Sequence, residues 1–218
     1  MKIILIGFPG SGKSTQAKKV GEYLKIPYLG TGDLVRSKLE SHLTEYKEQV
    51  SKGFLLPDDI VFKIVSDKIL EFDLNIGFVM EGYPRTLVQA KLLDLFLKER
   101  GTDLDVVINL TIGDDDINKR VLNRHQCKYC GSIISTDSIQ KENSCPSCQK
   151  PDAFRADDTK ESLKKRIEIF RNKSQELLQY YEEKRILIDV NAGGTIDEVF
   201  VTIKNHLQSK KKKKEVFA

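Results

Sequence analysis

Nine consecutive residues, Gly7-Phe8-Pro9-Gly10-Ser11-Gly12-Lys13-Ser14-Thr15, carry the most specific chemistry in this chain. They fit the pattern G-x-x-x-x-G-K-[ST] and follow the apolar run Ile3-Ile4-Leu5-Ile6. Glycines let a backbone curl until successive N–H groups converge on one point, and the N-terminus of a following helix adds its partial positive charge there. Such a cradle suits a phosphate group. Lys13 is placed to reach the outer phosphates of a nucleotide, and the hydroxyl of Ser14 or Thr15 to meet Mg²⁺ or a phosphate oxygen. A plain glycine-rich turn would account for neither the lysine nor the hydroxyls.

The four cysteines form a second constellation, Cys127-Lys128-Tyr129-Cys130 and Cys145-Pro146-Ser147-Cys148. Two C-x-x-C knuckles bring four thiolates into a tetrahedron, the arrangement a structural Zn²⁺ prefers. Iron on four thiolates is a second possibility, and disulfides or free thiols a third. A metal held by four protein ligands has no open position for water, so it would stabilise rather than catalyse.

Short β-branched runs at 2–6, 27–29, 78–80, 105–110 and 186–190 alternate with longer helical stretches, which predicts a parallel sheet with helices on both faces. Helices are expected at 34–39, 46–52 and 58–72, where Ile60, Ile64, Val65 and Ile69 form an apolar stripe. Residues 159–183 carry Leu163, Ile167, Phe170, Leu177, Leu178 and Tyr181 at helical spacing. Asp158 and Glu161 are set as a capping box for that helix. The cysteine-bearing stretch lacks this periodicity and reads as a small inserted subdomain.

With 218 residues, 39% of them hydrophobic and 31% charged, the chain has the composition of an ordinary soluble protein with one substantial core. It contains no apolar run near the roughly 20 residues that span a bilayer, and its first apolar run is too short for a signal peptide. A cytoplasmic location is expected. The formal charge of +4 owes everything to five lysines at 210–214, without which the balance is about neutral. That run reads as a solvated, disordered tail, and no nucleic-acid or membrane partner is expected. His42, His125 and His206 have no evident task.

Gly7 to Thr15, Thr31-Gly32-Asp33, Gly82-Tyr83-Pro84-Arg85, Arg120 with Arg124, Arg155 with Asp157 and Asp158, and Arg166 together resemble bacterial adenylate kinases with a zinc-bearing lid. The resemblance covers nearly the whole chain up to the lysine run. It implies an α/β fold of the P-loop NTPase type, with a five-stranded parallel sheet, helices on both faces, and AMP-binding and zinc-ribbon lid insertions. The core would comprise 1–29, 60–122 and 161–209, the monophosphate-binding insertion 30–59, the zinc lid 123–160 and the basic tail 210–218.

The implied activity is reversible transfer of a phosphoryl group from Mg-ATP to AMP, giving two ADP, by a monomer. Gly10, Ser11, Gly12, Lys13, Ser14 and Thr15 would hold the ATP phosphates. Arg120 and Arg124 would close on ATP, with backbone at Ile133, Ile134 and Gly194 beside its base. AMP would be held by Thr31, Arg36, Gly82, Tyr83, Pro84, Arg85 and Gln89, by backbone at Phe54, Leu55 and Leu56, and by Arg155 and Arg166. Lys13, Arg85, Arg120, Arg124, Arg155 and Arg166 would be the catalytic cations, Mg²⁺ would accompany ATP, and Cys127, Cys130, Cys145 and Cys148 would bind structural Zn²⁺. Arginine suits this work because its planar fork grips phosphate oxygens and keeps its charge.

Two positions depart from the family pattern. Ser14 stands where glycine is usual and is placed to help hold Mg²⁺. Glu81 stands where aspartate is usual, and its extra methylene is expected to reduce turnover while leaving activity in place, since a misplacement of about an ångström matters for rate. A kinase for UMP or CMP is the alternative within the class. A zinc-ribbon nucleic-acid binder with a nucleotide switch is the alternative outside it, and leaves Arg85, Arg155 and Arg166 without work.

Overall fold

The computed structural model describes residues 1–113, 124–127, 129–130, 132–135, 144–151 and 159–217. Strand β1 (Lys2–Gly7) runs through the glycine loop into α1 (Lys13–Leu24), followed by β2 (Tyr28–Gly30) and α2 (Thr31–Ser41). A 3₁₀ turn at Thr44–Tyr46 precedes the short α3 (Lys47–Ser51). Next come α4 (Asp58–Ile69), β3 (Phe78–Glu81), α5 (Leu87–Lys98) and β4 (Val106–Thr111). A two-stranded antiparallel unit, β5 (Arg124–Gln126) and β6 (Ile133–Ser135), lies in the cysteine segment. The chain ends with α6 (Lys160–Glu183), β7 (Leu187–Asn191) and α7 (Ile196–Phe217).

Five strands form one sheet in the order β2-β3-β1-β4-β7, and every neighbouring pair is parallel. A central parallel strand is covered on both faces, so β1 is apolar at successive positions instead of alternating. Its residues divide by parity. Ile4 and Ile6 face a core shared with Val65, Leu93 and Tyr181, while Ile3 and Leu5 face a second core shared with Ala17, Val20 and Ile203. Helices α4, α5 and α6 thus cover one face, and α1 and α7 the other. On α7 the covering stripe is Val199, Ile203 and Leu207, spaced one turn apart.

Because all five strands point the same way, β1, β2 and β3 deliver Gly7, Gly30 and Glu81 to one edge of the sheet. The connection after β1 leads past β3 to β2, that after β4 leads the other way to β7, and a crevice at such a reversal is where open α/β sheets bind ligands.

The five expected strands are all present, with ends shifted by a residue or two. Some helical details differ from expectation. The cap of α6 is Thr159, whose hydroxyl accepts the Ser162 N–H at 3.1 Å, and Asp158 lies outside the described residues. The lysine run forms the last turns of α7 instead of a disordered tail. Lysine is a good helix former, and Lys210 Nζ donates to the backbone carbonyl of Asp105 at 3.3 Å, extending the helix past its buried stripe. Among the described residues no helix is long and apolar enough to cross a membrane.

Candidate active site

The loop after β1 is shaped by its glycines. A Cβ at Gly7 would lie 2.6 Å from the Leu110 carbonyl oxygen, and Gly10 and Gly12 both have φ of +89°, a left-handed conformation costly for other residues. Gly12 is the N-cap of α1 and offers no side chain, and the first turn of α1 holds no acidic residue. Its leading N–H groups therefore keep no side-chain acceptor, which is the condition for an anion site. Lys13 Nζ folds over the loop and donates to the carbonyls of Gly7 at 2.8 Å and Phe8 at 2.7 Å. Ser11 Oγ is buried without a hydrogen-bond partner. Ser14 Oγ donates to Glu81 Oε1 at 3.0 Å.

This loop lines a cleft that also includes Thr15, Glu81, Pro84 and Phe170. A second cavity is lined by Thr31, Phe54, Leu55, Leu56 and Gln89. The two share one wall, formed by Gly32, Arg36, Gly53, Leu55, Gly82, Arg85 and Arg166. Three guanidinium-bearing residues thus stand at the junction between a phosphate cradle and a second compartment. Arg85 is open to the cleft yet surrounded by protein walls. Burial, then Arg166, and more weakly Arg36 draw its pKa down to about 10, against the opposing pull of Glu81. It is still charged near neutrality.

Local structure sets each of these side chains. Arg85 follows a cis Tyr83–Pro84 peptide bond and Gly82, whose φ is +81°. Its Nε donates to the Gly82 carbonyl at 2.8 Å and its backbone N–H to Gln89 Oε1 at 2.7 Å. Gln89 Nε2 donates to Asp58 Oδ1 at 2.8 Å, and Thr86 Oγ1 donates to Asp58 Oδ2 at 3.1 Å. The amide of Gln89 is therefore held at both ends, oxygen towards Arg85 and nitrogen towards Asp58. Tyr83 is wholly buried and its hydroxyl donates to the Gln89 carbonyl, so it supports this turn from beneath. Thr31 opens α2 with its hydroxyl buried and unpartnered, on the wall of the second cavity. Arg36 pairs with Asp33 one turn earlier on the same helix. Leu56 is buried, whereas Phe54 is 47% exposed beneath Lys165 Nζ.

Residue Gly53 joins this compartment to α6. Its φ is +90°, and a Cβ there would meet the Ser162 carbonyl oxygen at 2.6 Å. Phe8 packs on Phe170 of the same helix with ring centroids 4.4 Å apart, which sets α6 and Arg166 over the loop.

In the cysteine segment the four Sγ atoms all lie within 4.8 Å of one another. The separations Cys127–Cys148 and Cys130–Cys145 are both 3.7 Å, far beyond a disulfide and close to the edge of about 3.8 Å expected for a tetrahedron of thiolates around Zn²⁺ at about 2.3 Å. The N–H groups of Tyr129 and Cys130 point at Cys127 Sγ at 3.4 and 3.5 Å, the knuckle geometry that stabilises a thiolate. All four thiols are free. The cluster could hold one metal ion. Ile134 is buried against Cys127 and Cys145, which leaves its backbone, in β6, as the part that a ligand could meet.

Arg120 and Arg155 lie outside the described residues, as do Asp157 and the side chains of Arg124 and Ile133. Among the described residues, those of the cysteine segment line neither cavity, and Gly194 stands apart, with Glu198 Oε2 only 2.9 Å from where its Cβ would be. Two residues that hold site side chains were not foreseen: Tyr28, whose hydroxyl donates to Glu81 Oε1 at 3.3 Å, and Asp58, which accepts from Gln89 and Thr86. Asp58 reads locally as an acid in the first turn of α4, and nothing in the sequence links it to Gln89, 31 residues away.

A phosphate loop on a five-stranded parallel sheet, with clustered arginines facing it across a cleft, defines a P-loop enzyme of the phosphoryl-transfer class. The family model for adenylate kinase matches residues 5–186. An adenylate kinase of Caldanaerobacter subterraneus subsp. tengcongensis is 38% identical over 213 residues, covering 95% of this chain and 96% of that protein. Those of Thermodesulfovibrio yellowstonii and Clostridium novyi are each 36% identical, over 96% and 97% of this chain and all of their own length. The chain belongs to the adenylate kinase family and is a nucleoside monophosphate kinase.

Proposed function

We propose that the protein transfers the terminal phosphoryl group of Mg-ATP to AMP, reversibly, giving two ADP. The observation that carries this reading is the shared wall of Arg36, Arg85 and Arg166 between the loop cleft and the cavity holding Thr31 and Gln89. Two nucleotides entering from the two sides would meet phosphate to phosphate at that wall.

A phosphate oxygen of AMP attacks the terminal phosphorus of ATP. A new P–O bond forms, and the bond to the bridging oxygen breaks, with its electron pair leaving on ADP. The attacking oxygen is already anionic, so no base is needed. The protein's work is alignment and charge stabilisation. In this reading Lys13 exchanges its two loop carbonyls for phosphate oxygens, and the N–H groups from Gly10 to Thr15 hold the donor's phosphates. Arg36, Arg85 and Arg166 draw the acceptor phosphate into line and take up charge that spreads in the transition state. Thr31 and Gln89 face the monophosphate nucleotide, whose base lies against the backbone of 54–56. Arg120, Arg124 and Arg155 complete the cation set from the lid, and Gly194 borders the donor's base.

Mg²⁺, when bound with ATP, neutralises phosphate charge, and Ser14, Thr15 and Glu81 are the residues placed to hold it. Zn²⁺ in the cysteine cluster keeps the 123–160 segment folded, and that segment and 30–59 close over the two nucleotides to exclude water. The protein works as a monomer in the cytoplasm.

The test is ADP formation from Mg-ATP with AMP, CMP, UMP or GMP as acceptor. AMP is the preferred acceptor, and Lys13→Ala lowers the rate on the order of 10²-fold or more. ATP loss without any acceptor, or a preference for CMP or UMP, overturns the reading.

A further inference from the structure

Among the described residues Glu81 is the one carboxylate lining the loop cleft, and it is only 9% exposed. An anion beside a phosphate cradle repels the ligand that the cradle serves unless a cation stands between them. The manner in which Glu81 is held bears on this. Both hydrogen bonds that it accepts fall on one oxygen: Ser14 Oγ donates to Oε1 at 3.0 Å and Tyr28 Oη donates to the same atom at 3.3 Å.

We propose that Ser14 and Tyr28 are positioning residues that clamp one oxygen of Glu81, so that its other oxygen is presented to the divalent cation of the bound nucleotide. This rests on the reading of Mg-ATP as phosphoryl donor. The clamp draws on three segments: the start of α1, the start of β2 and the end of β3. Gly30 belongs to it, because a Cβ there would lie 2.5 Å from Tyr28 Oη and would drive the hydroxyl off its position. Burial, and then the charges of Glu81 and Asp33, push the Tyr28 hydroxyl far above its usual pKa, so it remains a donor at any pH the protein meets.

The clamp also explains the pairing of Ser14 with Glu81. A glutamate has one more rotatable bond than an aspartate, and two donors on one oxygen remove that freedom. A glycine at position 14 would supply no donor. While its O–H donates to Glu81, the Ser14 oxygen keeps its lone pairs, so the same hydroxyl can hold the carboxylate and face a cation. The longer acid is therefore held in place by residues of this chain, and the loss of turnover expected from its length is offset.

Calorimetric titration of the whole protein with ATP, in chelator and in saturating Mg²⁺, measures the factor by which the metal tightens ATP binding. Tyr28→Phe should reduce that factor about 3- to 10-fold, the net effect of one hydrogen bond, while affinity in chelator is unchanged. Gly30→Ala should act in the same direction by displacing the hydroxyl that it leaves intact. Glu81→Gln should tighten ATP in chelator, by removing the repulsion, and lose most of the metal's effect. Thermal melts identify any variant that has not folded. An unchanged factor in both Tyr28→Phe and Gly30→Ala overturns the clamp, and an unchanged factor in Glu81→Gln overturns the presentation of that carboxylate to the metal. Failure of ATP to bind in either condition overturns the donor reading and the clamp with it.

Discussion

Arg85 shows what the site does to a single residue. Its pKa of about 10, below the ordinary value for a guanidinium, means that the ligand-free fold holds the proton less tightly than the unfolded chain does. Burial and the neighbouring charges of Arg166 and Arg36 are the causes, in that order. For a basic group the sign is unambiguous: the cost to stability is fully present below about pH 10 and is relieved as pH rises from there towards the ordinary guanidinium range. Arg85→Met should therefore raise the melting temperature of the ligand-free protein at pH 7 to 8, with a gain that shrinks above about pH 10. The same substitution should lower phosphoryl transfer on the order of 10²-fold or more. AMP should raise the melting temperature of the parent protein and leave that of the variant nearly unmoved. A variant that melts lower than its parent without ligand would show that Arg85 is a structural residue and not one held under strain for an anion.

At the scale of elements, the sheet was legible because buried parallel strands leave continuous apolar runs such as Ile3 to Ile6, and the loop because its glycines, lysine and hydroxyls occupy consecutive positions. Helices α5 and α7 were not placed. The first is apolar nearly all round, and the stripe of the second is three residues in a polar, lysine-ended segment. The β5–β6 pair is two strands of three residues each, too short to show alternation. The links between elements were the least legible part. Asp58 to Gln89, Tyr28 to Glu81 and Gly53 to Ser162 are contacts across long separations, and their local sequence carries no trace of the partner. Gly53 offers a direct test of one such link. Gly53→Ala combines a side chain at positive φ with a Cβ placed 2.6 Å from a helix carbonyl, so it should destabilise the protein by about 1–3 kcal/mol in urea unfolding. The Michaelis constant for AMP should rise as well, because Gly53 lines both cavities. A neutral substitution would mean that the 30–59 segment does not seat on α6 in solution.

For the molecule as a whole, the decisive feature is that, among the described residues, the sheet and the cysteine segment do not share a core. The described side chains that pack both faces of the sheet come from outside 123–158. The cysteine segment has its own cluster, in which Cys127, Ile134 and Cys145 are buried with Cys148 against them. A metal bond network is the kind of staple by which a small unit built around a cysteine cluster offsets the entropy of ordering its chain. Without the ion, four thiols would be packed within 4.8 Å with no disulfide between them. The expected outcome of metal removal follows. The purified protein should carry one equivalent of zinc by elemental analysis, and a strong chelator should release it as four thiols become reactive to a thiol reagent. Far-ultraviolet circular dichroism should change little, since the sheet and the helices described around it do not depend on the cluster, while the melting temperature falls by several degrees. Phosphoryl transfer should fall much further than helix content, because the proposed substrate-binding arginines at 120, 124 and 155 border or lie within the segment that loses its fold. Full activity in metal-free protein with four reactive thiols would show that the segment folds unaided and that the cluster has no structural task.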